Sequence, residues 1–154
     1  MATTGDKSRH VEFIRPTSEL RGGDAQGCGG FHCSRCARLH LANDYTCMPG
    51  DSVAASADGV VEKVGWSKTG FFNVRYVRIK VSSRLVYETH YLTDPRVIAD
   101  ETVKMGQTLG ACANLSEMYP TARGMKNHVH QYVVWDGILI DAENHSAIDM
   151  VVPE

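Results

Sequence analysis

From Asp51 onward, short runs of β-branched and aromatic residues alternate with turn residues, a rhythm that predicts strands rather than helices. Ser52–Ala55 leads into Asp58-Gly59, a hairpin signal, and then into Val60–Val64. Val74–Val81 alternates in the β-strand sense, and Leu85–Leu92 is a further strand. Asp94-Pro95 marks a turn, and Val103–Leu109 carries Gly106 at its centre. A last long strand, His128–Trp135, ends at Asp136-Gly137, a second hairpin signal, after which Ile138–Ile140 pairs back. Only Cys112–Tyr119 has helical character, and that is weak. The pattern predicts a mainly β, single domain of antiparallel strands with long loops and little helix. Residues 1–22 lack periodicity and read as a polar leader, Gly22–Gly30 reads as loop, and the domain is expected over residues 23–154.

Composition narrows the function classes. The chain has 154 residues, 43% hydrophobic and 22% charged, which suits one folded domain. A net charge of −2 supplies no broad basic field, so no nucleic-acid partner is expected. No apolar run approaches a membrane span, and Met1–Arg15 lacks the apolar centre of a cleavable secretory signal. The chain therefore stays where it is made, leaves by a route without a cleaved signal, or is a mature chain with an added Met.

Five cysteines occur, and Cys28, Cys33, Cys36 and Cys47 crowd one N-terminal stretch apart from Cys112. Cys33-Ser34-Arg35-Cys36 is a C-x-x-C, but no second pair follows at zinc-ribbon spacing. Structural zinc needs four converging ligands, so local disulfides or buried thiols fit better than a cysteine metal site. Disulfides would place the protein in an oxidising compartment.

Two groupings among the seven histidines carry candidate chemistry: His40-x-x-x-Asp44 after the Gly-rich loop, and His128-Val129-His130 opening a strand. Residues two apart on a strand face the same side, so His128 and His130 project together and Val129 goes the other way. Imidazole and carboxylate donors suit Zn²⁺, and three protein ligands leave a position for water. Either grouping alone is a weak signal. His10, His32 and His145 read as surface or turn histidines, and Tyr45 and Trp135 as packing residues.

The neighbours of these groupings strengthen them. His40-Leu41-Ala42-Asn43-Asp44 precedes Pro49-Gly50-Asp51-Ser52-Val53-Ala54-Ala55-Ser56-Ala57-Asp58-Gly59-Val60-Val61. Val103-Lys104-Met105-Gly106-Gln107-Thr108-Leu109-Gly110 follows, then His128-Val129-His130, then Asp136-Gly137-Ile138-Leu139-Ile140-Asp141. This order, over about residues 28–145, resembles the lysostaphin-type zinc endopeptidases. Within that family, Gly27-Cys28-Gly29, Cys47 and Met118-Tyr119-Pro120 resemble the leukocyte cell-derived chemotaxin branch, whose members are extracellular binding proteins rather than established enzymes.

The resemblance implies the lysostaphin-type β-sheet fold, one zinc per chain held by His40, Asp44 and His130, and a catalytic-type role for His128. Arg38 matches a frequent basic residue of the family. The peptidases carry a second such histidine in a Y-x-H-L strand motif, where this chain has Tyr87-Glu88-Thr89-His90-Tyr91-Leu92. An ungapped match puts Tyr91 at that position with His90 on the opposite face, whereas a β-bulge would let His90 reach the site. Ala42 stands where glycine is usual, and Gln131-Tyr132 replaces an apolar–acidic pair.

The expected function is therefore zinc-dependent hydrolysis of peptide cross-links in bacterial peptidoglycan, outside the cytoplasm. Delivery by a phage tail or a contact-dependent injection system fits the missing signal. The alternative is a catalytically silent, chemotaxin-type zinc module that binds a glycan, peptide or receptor.

Overall fold

The computed structural model describes residues 11–31, 33–35, 38–71, 73–143 and 147–148. Ten strands build one antiparallel sheet: β1 (Glu19–Leu20), β2 (Asn43–Thr46), β3 (Ser52–Ala54), β4 (Gly59–Trp66), β5 (Arg75–Lys80), β6 (Leu85–Thr93), β7 (Thr102–Val103), β8 (Thr108–Cys112), β9 (His128–Trp135) and β10 (Ile138–Ile140). The order is β7-β4-β5-β6-β9-β2-β1, with β8 bridging β6 and β3, and β10 pairing with β9. The helix α1 spans only Leu115–Met118, where Asn114 caps Ser116 N through its side chain. Among the described residues no helix is long and apolar enough to cross a membrane.

Period-two alternation explains the layering. Val129, Gln131 and Val133 of β9 point into the core beside Leu85, Tyr87 and Thr89 of β6, while His128, His130 and Tyr132 occupy the other face. Buried Gln131 is satisfied by Ser56 at 2.8 Å and Thr89 at 3.0 Å, so the polar residue costs the core little. Tyr87 likewise donates its hydroxyl to Ala57 O at 2.9 Å inside the core. Asp136-Gly137 forms the expected two-residue hairpin, with φ of 50° and 77° and Trp135 opposite Ile138.

Three expectations change. Asp58-Gly59 does not join a hairpin, because β3 pairs with β8 while β4 pairs with β5 and β7. Gly59 is instead needed for close approach, since a Cβ there would meet Ile79 and Lys80 at 2.6 Å, and Asp58 accepts from Met105 N. Cys112 belongs to strand β8 rather than to the weakly helical stretch. Residues 11–22 of the segment read as a polar leader pack on the domain: Val11 and Phe13 are core residues, Phe13 meets Tyr87 edge-on, and β1 pairs with β2. Their apolar positions are too few and too short-ranged to register as periodicity.

Among the described residues, one disulfide is local and one is long-range. Cys28 joins Cys33, and Cys47 joins Cys112 across 65 residues. The C-x-x-C is not a pair, since Cys33 is taken by Cys28, and Cys36 lies outside the described residues.

Candidate metal centre

Asp44 sits at the middle of the polar face. It lies on β2, where antiparallel pairing sets it directly opposite His130 of β9, and His130 is in turn opposite His90 of β6. His40 arrives from the segment just before β2, where it is buried. Three donor atoms converge: His130 Nδ1 stands 2.8 Å from Asp44 Oδ1, His40 Nε2 lies 3.4 Å from the same oxygen, and the two ring nitrogens are 3.3 Å apart. Ligands about 2.1 Å from a tetrahedral zinc stand about 3.4 Å from each other, so this set matches the ion's demands. His40, Asp44 and His130 form the metal-capable group among the described residues.

Neighbouring groups fix the rings. A carbonyl can only accept, so His40 Nδ1–H donates to Gly30 O at 3.1 Å and its Nε2 lone pair faces the centre. By the same logic His128 Nδ1–H donates to Lys126 O at 2.7 Å, turning Nε2 toward Asp44 Oδ2 at 3.6 Å. Burial opposes ionisation of Asp44, but the hydrogen bond from His130 and the surrounding imidazoles outweigh it and hold the carboxyl far below its ordinary range. Burial also pushes His128 down, only partly offset by Asp44, which favours the neutral imidazole.

The His90/Tyr91 question has a structural answer. Tyr76 pairs with His90 but Arg75 pairs with Leu92, so Tyr91 is an extra residue on β6, with φ of 71°. A non-glycine residue in this region costs about 1–2 kcal/mol. The bulge is supported by Tyr91 N donating to Ser67 Oγ at 3.1 Å and Ala113 N donating to Tyr91 O at 2.9 Å. Its effect is to return Leu92 to the core while both preceding side chains stay on the site face. The His90 ring is 6.1 Å from that of His130, and the Tyr91 ring is 5.8 Å from His128 and 6.2 Å from His130.

Other participants were not visible in the sequence. Arg21 binds Asp44 Oδ2 at 3.0 Å, and Asp24 holds Arg21 through Nε at 2.7 Å. Asp24 is only three residues away, but nothing in the local sequence of Arg21 announces Asp44, which lies on β2. Glu88, two residues before His90, shares its face and its hydrogen bond, a relation the strand period does encode. Beside His130 opens a cavity of about 480 Å³ lined by Leu41, Ala42, Tyr132, Val134 and Leu139. Tyr45 packs in the core with its hydroxyl on Glu143, and Trp135 packs at its margin. His10, His32 and His145, and the side chain of Arg38, lie outside the described residues.

Comparison with known proteins bears on this geometry. Residues 38–142 match the model of peptidase family M23. The peptidoglycan DD-endopeptidase ShyC of Vibrio cholerae is 32% identical over 101 residues, 66% of this chain, and the chain spans only 21% of that protein's length. Bovine (Bos taurus) leukocyte cell-derived chemotaxin-2 is 26% identical over 119 residues, covering 75% of this chain and 74% of its own. Among solved structures, the catalytic domain of the antimicrobial peptidase lysostaphin from Staphylococcus simulans superposes with a TM-score of 0.57 at 20% identity, covering 77% of this chain and 86% of that one.

Proposed function

The chain belongs to peptidase family M23, and from that premise we propose that it is a zinc metalloendopeptidase hydrolysing peptide cross-links of bacterial peptidoglycan. One observation carries the reading: His40 Nε2, Asp44 Oδ1 and His130 Nδ1 converge within zinc-ligand spacing, with His128 aimed at the same point. Zinc held by these three residues supplies a Lewis acid for the scissile carbonyl and lowers the pKa of the attacking water.

The chain's own residues supply the remainder. Asp44 stays ionised and contributes the one negative charge of the ligand set. His40, its proton committed to Gly30 O, offers a lone pair rather than a charge. His128 accepts a proton at Nε2 and returns it to the leaving amine, because Nδ1 is committed to Lys126 O. Tyr91 stands where a hydroxyl can hold the carbonyl oxygen as negative charge develops, and His90 stands beside it as a proton acceptor. The apolar cavity beside His130 takes the substrate peptide. Peptidoglycan lies outside the cytoplasm, so the site works there.

A second reading, a zinc module without turnover, is favoured by the even coverage of the chemotaxin relative. Soluble fragments released from purified peptidoglycan by the zinc-loaded protein, stopped by a chelator and restored by zinc, would support the peptidase. No release from several peptidoglycan types, by protein carrying one zinc, would favour the module.

A further inference from the structure

Glu88 is buried on the site face of β6, and every part of its carboxylate is engaged. Oε1 lies 2.8 Å from His90 Nε2, Oε2 accepts from Arg78 Nη1 at 2.8 Å, and the Tyr132 hydroxyl also donates to it. Arg78 is fixed from its other side by Glu62 at 2.9 Å. Burial alone would push Glu88 up, but His90, Tyr132 and Arg78 hold it below its ordinary value, so it acts as an acceptor.

The His90 ring is also confined. Tyr76 stacks on it at 4.6 Å with planes 24° apart, and Tyr132 lies 5.9 Å away. Tyr76 can lie there only because Gly65 is beneath it, where a Cβ would run into the tyrosine ring. An ionised carboxylate accepts but cannot donate, so His90 Nε2 carries the proton in this bond. Nδ1 is then the atom with the free lone pair.

We propose that Glu88 is a positioning residue for His90, fixing the Nε2–H tautomer so that Nδ1 is the atom that exchanges a proton with substrate or water. The kinetic consequence rests on the peptidase function proposed above; the tautomer does not. Stacking restrains the plane of the ring but leaves it free to flip about Cβ–Cγ, which exchanges Nδ1 with Cδ2 and Nε2 with Cε1. The bond to Glu88 removes that freedom, as a carboxylate does for the histidine of a Ser-His-Asp site.

Two measurements test this on the full chain loaded with zinc. Nitrogen-15 chemical shifts of the His90 ring should show the Nε2–H tautomer in the native protein and a mixture in Glu88→Gln. Hydrolysis of purified peptidoglycan should lose about tenfold or more in kcat in Glu88→Gln and Glu88→Asp, with KM within about twofold. The same change made in a His90→Ala background should cost nothing further, because Glu88 then has no ring to orient. An Nδ1–H tautomer in the native protein would overturn the proposal, as would losses that multiply in the double variant. If the native protein hydrolyses nothing, the peptidase reading fails, and the tautomer result still decides the role of Glu88.

Discussion

Arg21 and Asp44 meet at 3.0 Å with 2% and 0% of their side chains exposed, one charge from the N-terminal segment and one from the centre of the sheet. The guanidinium takes Oδ2 and leaves Oδ1 for His40 and His130. Its other edge is held by Asp24, which also accepts from Lys126 N, and Lys126 O in turn accepts from His128. A single chain of hydrogen bonds therefore ties a candidate ligand to the candidate proton carrier through residues outside the candidate ligand set.

Acid should remove the stability that this chain of hydrogen bonds supplies. The hydrogen bond from Arg21, against a smaller opposing effect of burial, holds the Asp24 carboxyl below its ordinary value. A carboxylate depressed in the folded state contributes stability that is complete above its unfolded pKa and is lost as pH falls below about 4. Asp24→Asn should cost on the order of 3 kcal/mol at neutral pH, since it leaves Arg21 half-paired in a buried place. Denaturant titrations of the metal-free protein should show a shallower acid limb in the variant; identical limbs would exclude Asp24 as a source of it.

Gly29 is a second lever on the centre. A Cβ there would stand 2.6 Å from Arg21 Cβ and 2.8 Å from Asp44 Cβ, both anchored in backbone rather than at the ends of long side chains. Gly29→Ala should displace Asp44, weakening zinc affinity by about tenfold or more and stability by about 2 kcal/mol. Competition with a chromophoric chelator reads the first effect and denaturation the second. Unchanged zinc affinity would mean that the strand absorbs the methyl group elsewhere.

The Cys47–Cys112 bond crosses 65 residues and joins the end of the ligand strand to β8, where Asn127 reaches both Cys47 O and Cys112 Sγ. In the chain-entropy account, a loop of that length contributes about 4 kcal/mol. Cys47→Ser/Cys112→Ser should lose most of that in equilibrium unfolding. The same comparison on the Cys28–Cys33 bond, whose loop spans 5 residues, should lose less.

Much of this was legible in the sequence, and the limits are physical. β9 was read to its last residue because alternation, an opening histidine pair and Asp136-Gly137 all agree on one register. The His40, Asp44 and His130 set came from the resemblance to the lysostaphin-type peptidases, and the fold brings the three together. The bulge at Tyr91 was one of two registers the residues allowed, and hydrogen bonds from distant Ala113 and to distant Ser67 select it. Arg21 was hidden inside a segment too irregular to show a period, and its link to the site lies in Asp44, a partner 23 residues away brought to it by the sheet. Asp58-Gly59 misled because a glycine needed for close packing carries the same letter as one needed for a turn.

Removing single donors separates ligands from neighbours. His40→Ala, Asp44→Ala and His130→Ala should each lower zinc stoichiometry from one toward zero, measured by elemental analysis after dialysis. His128→Ala and Tyr91→Phe should keep full zinc. Loss of zinc from either of the latter would move that residue into the ligand set.

The most direct test is mass spectrometry of a defined cross-linked peptidoglycan peptide incubated with zinc-loaded protein, alongside zinc-loaded His128→Ala. The account predicts one new amine and one new carboxyl terminus at a cross-link amide, with the rate in the variant at least about a hundredfold lower. An intact peptide with fully zinc-loaded native protein, or equal cleavage by the variant, would contradict it.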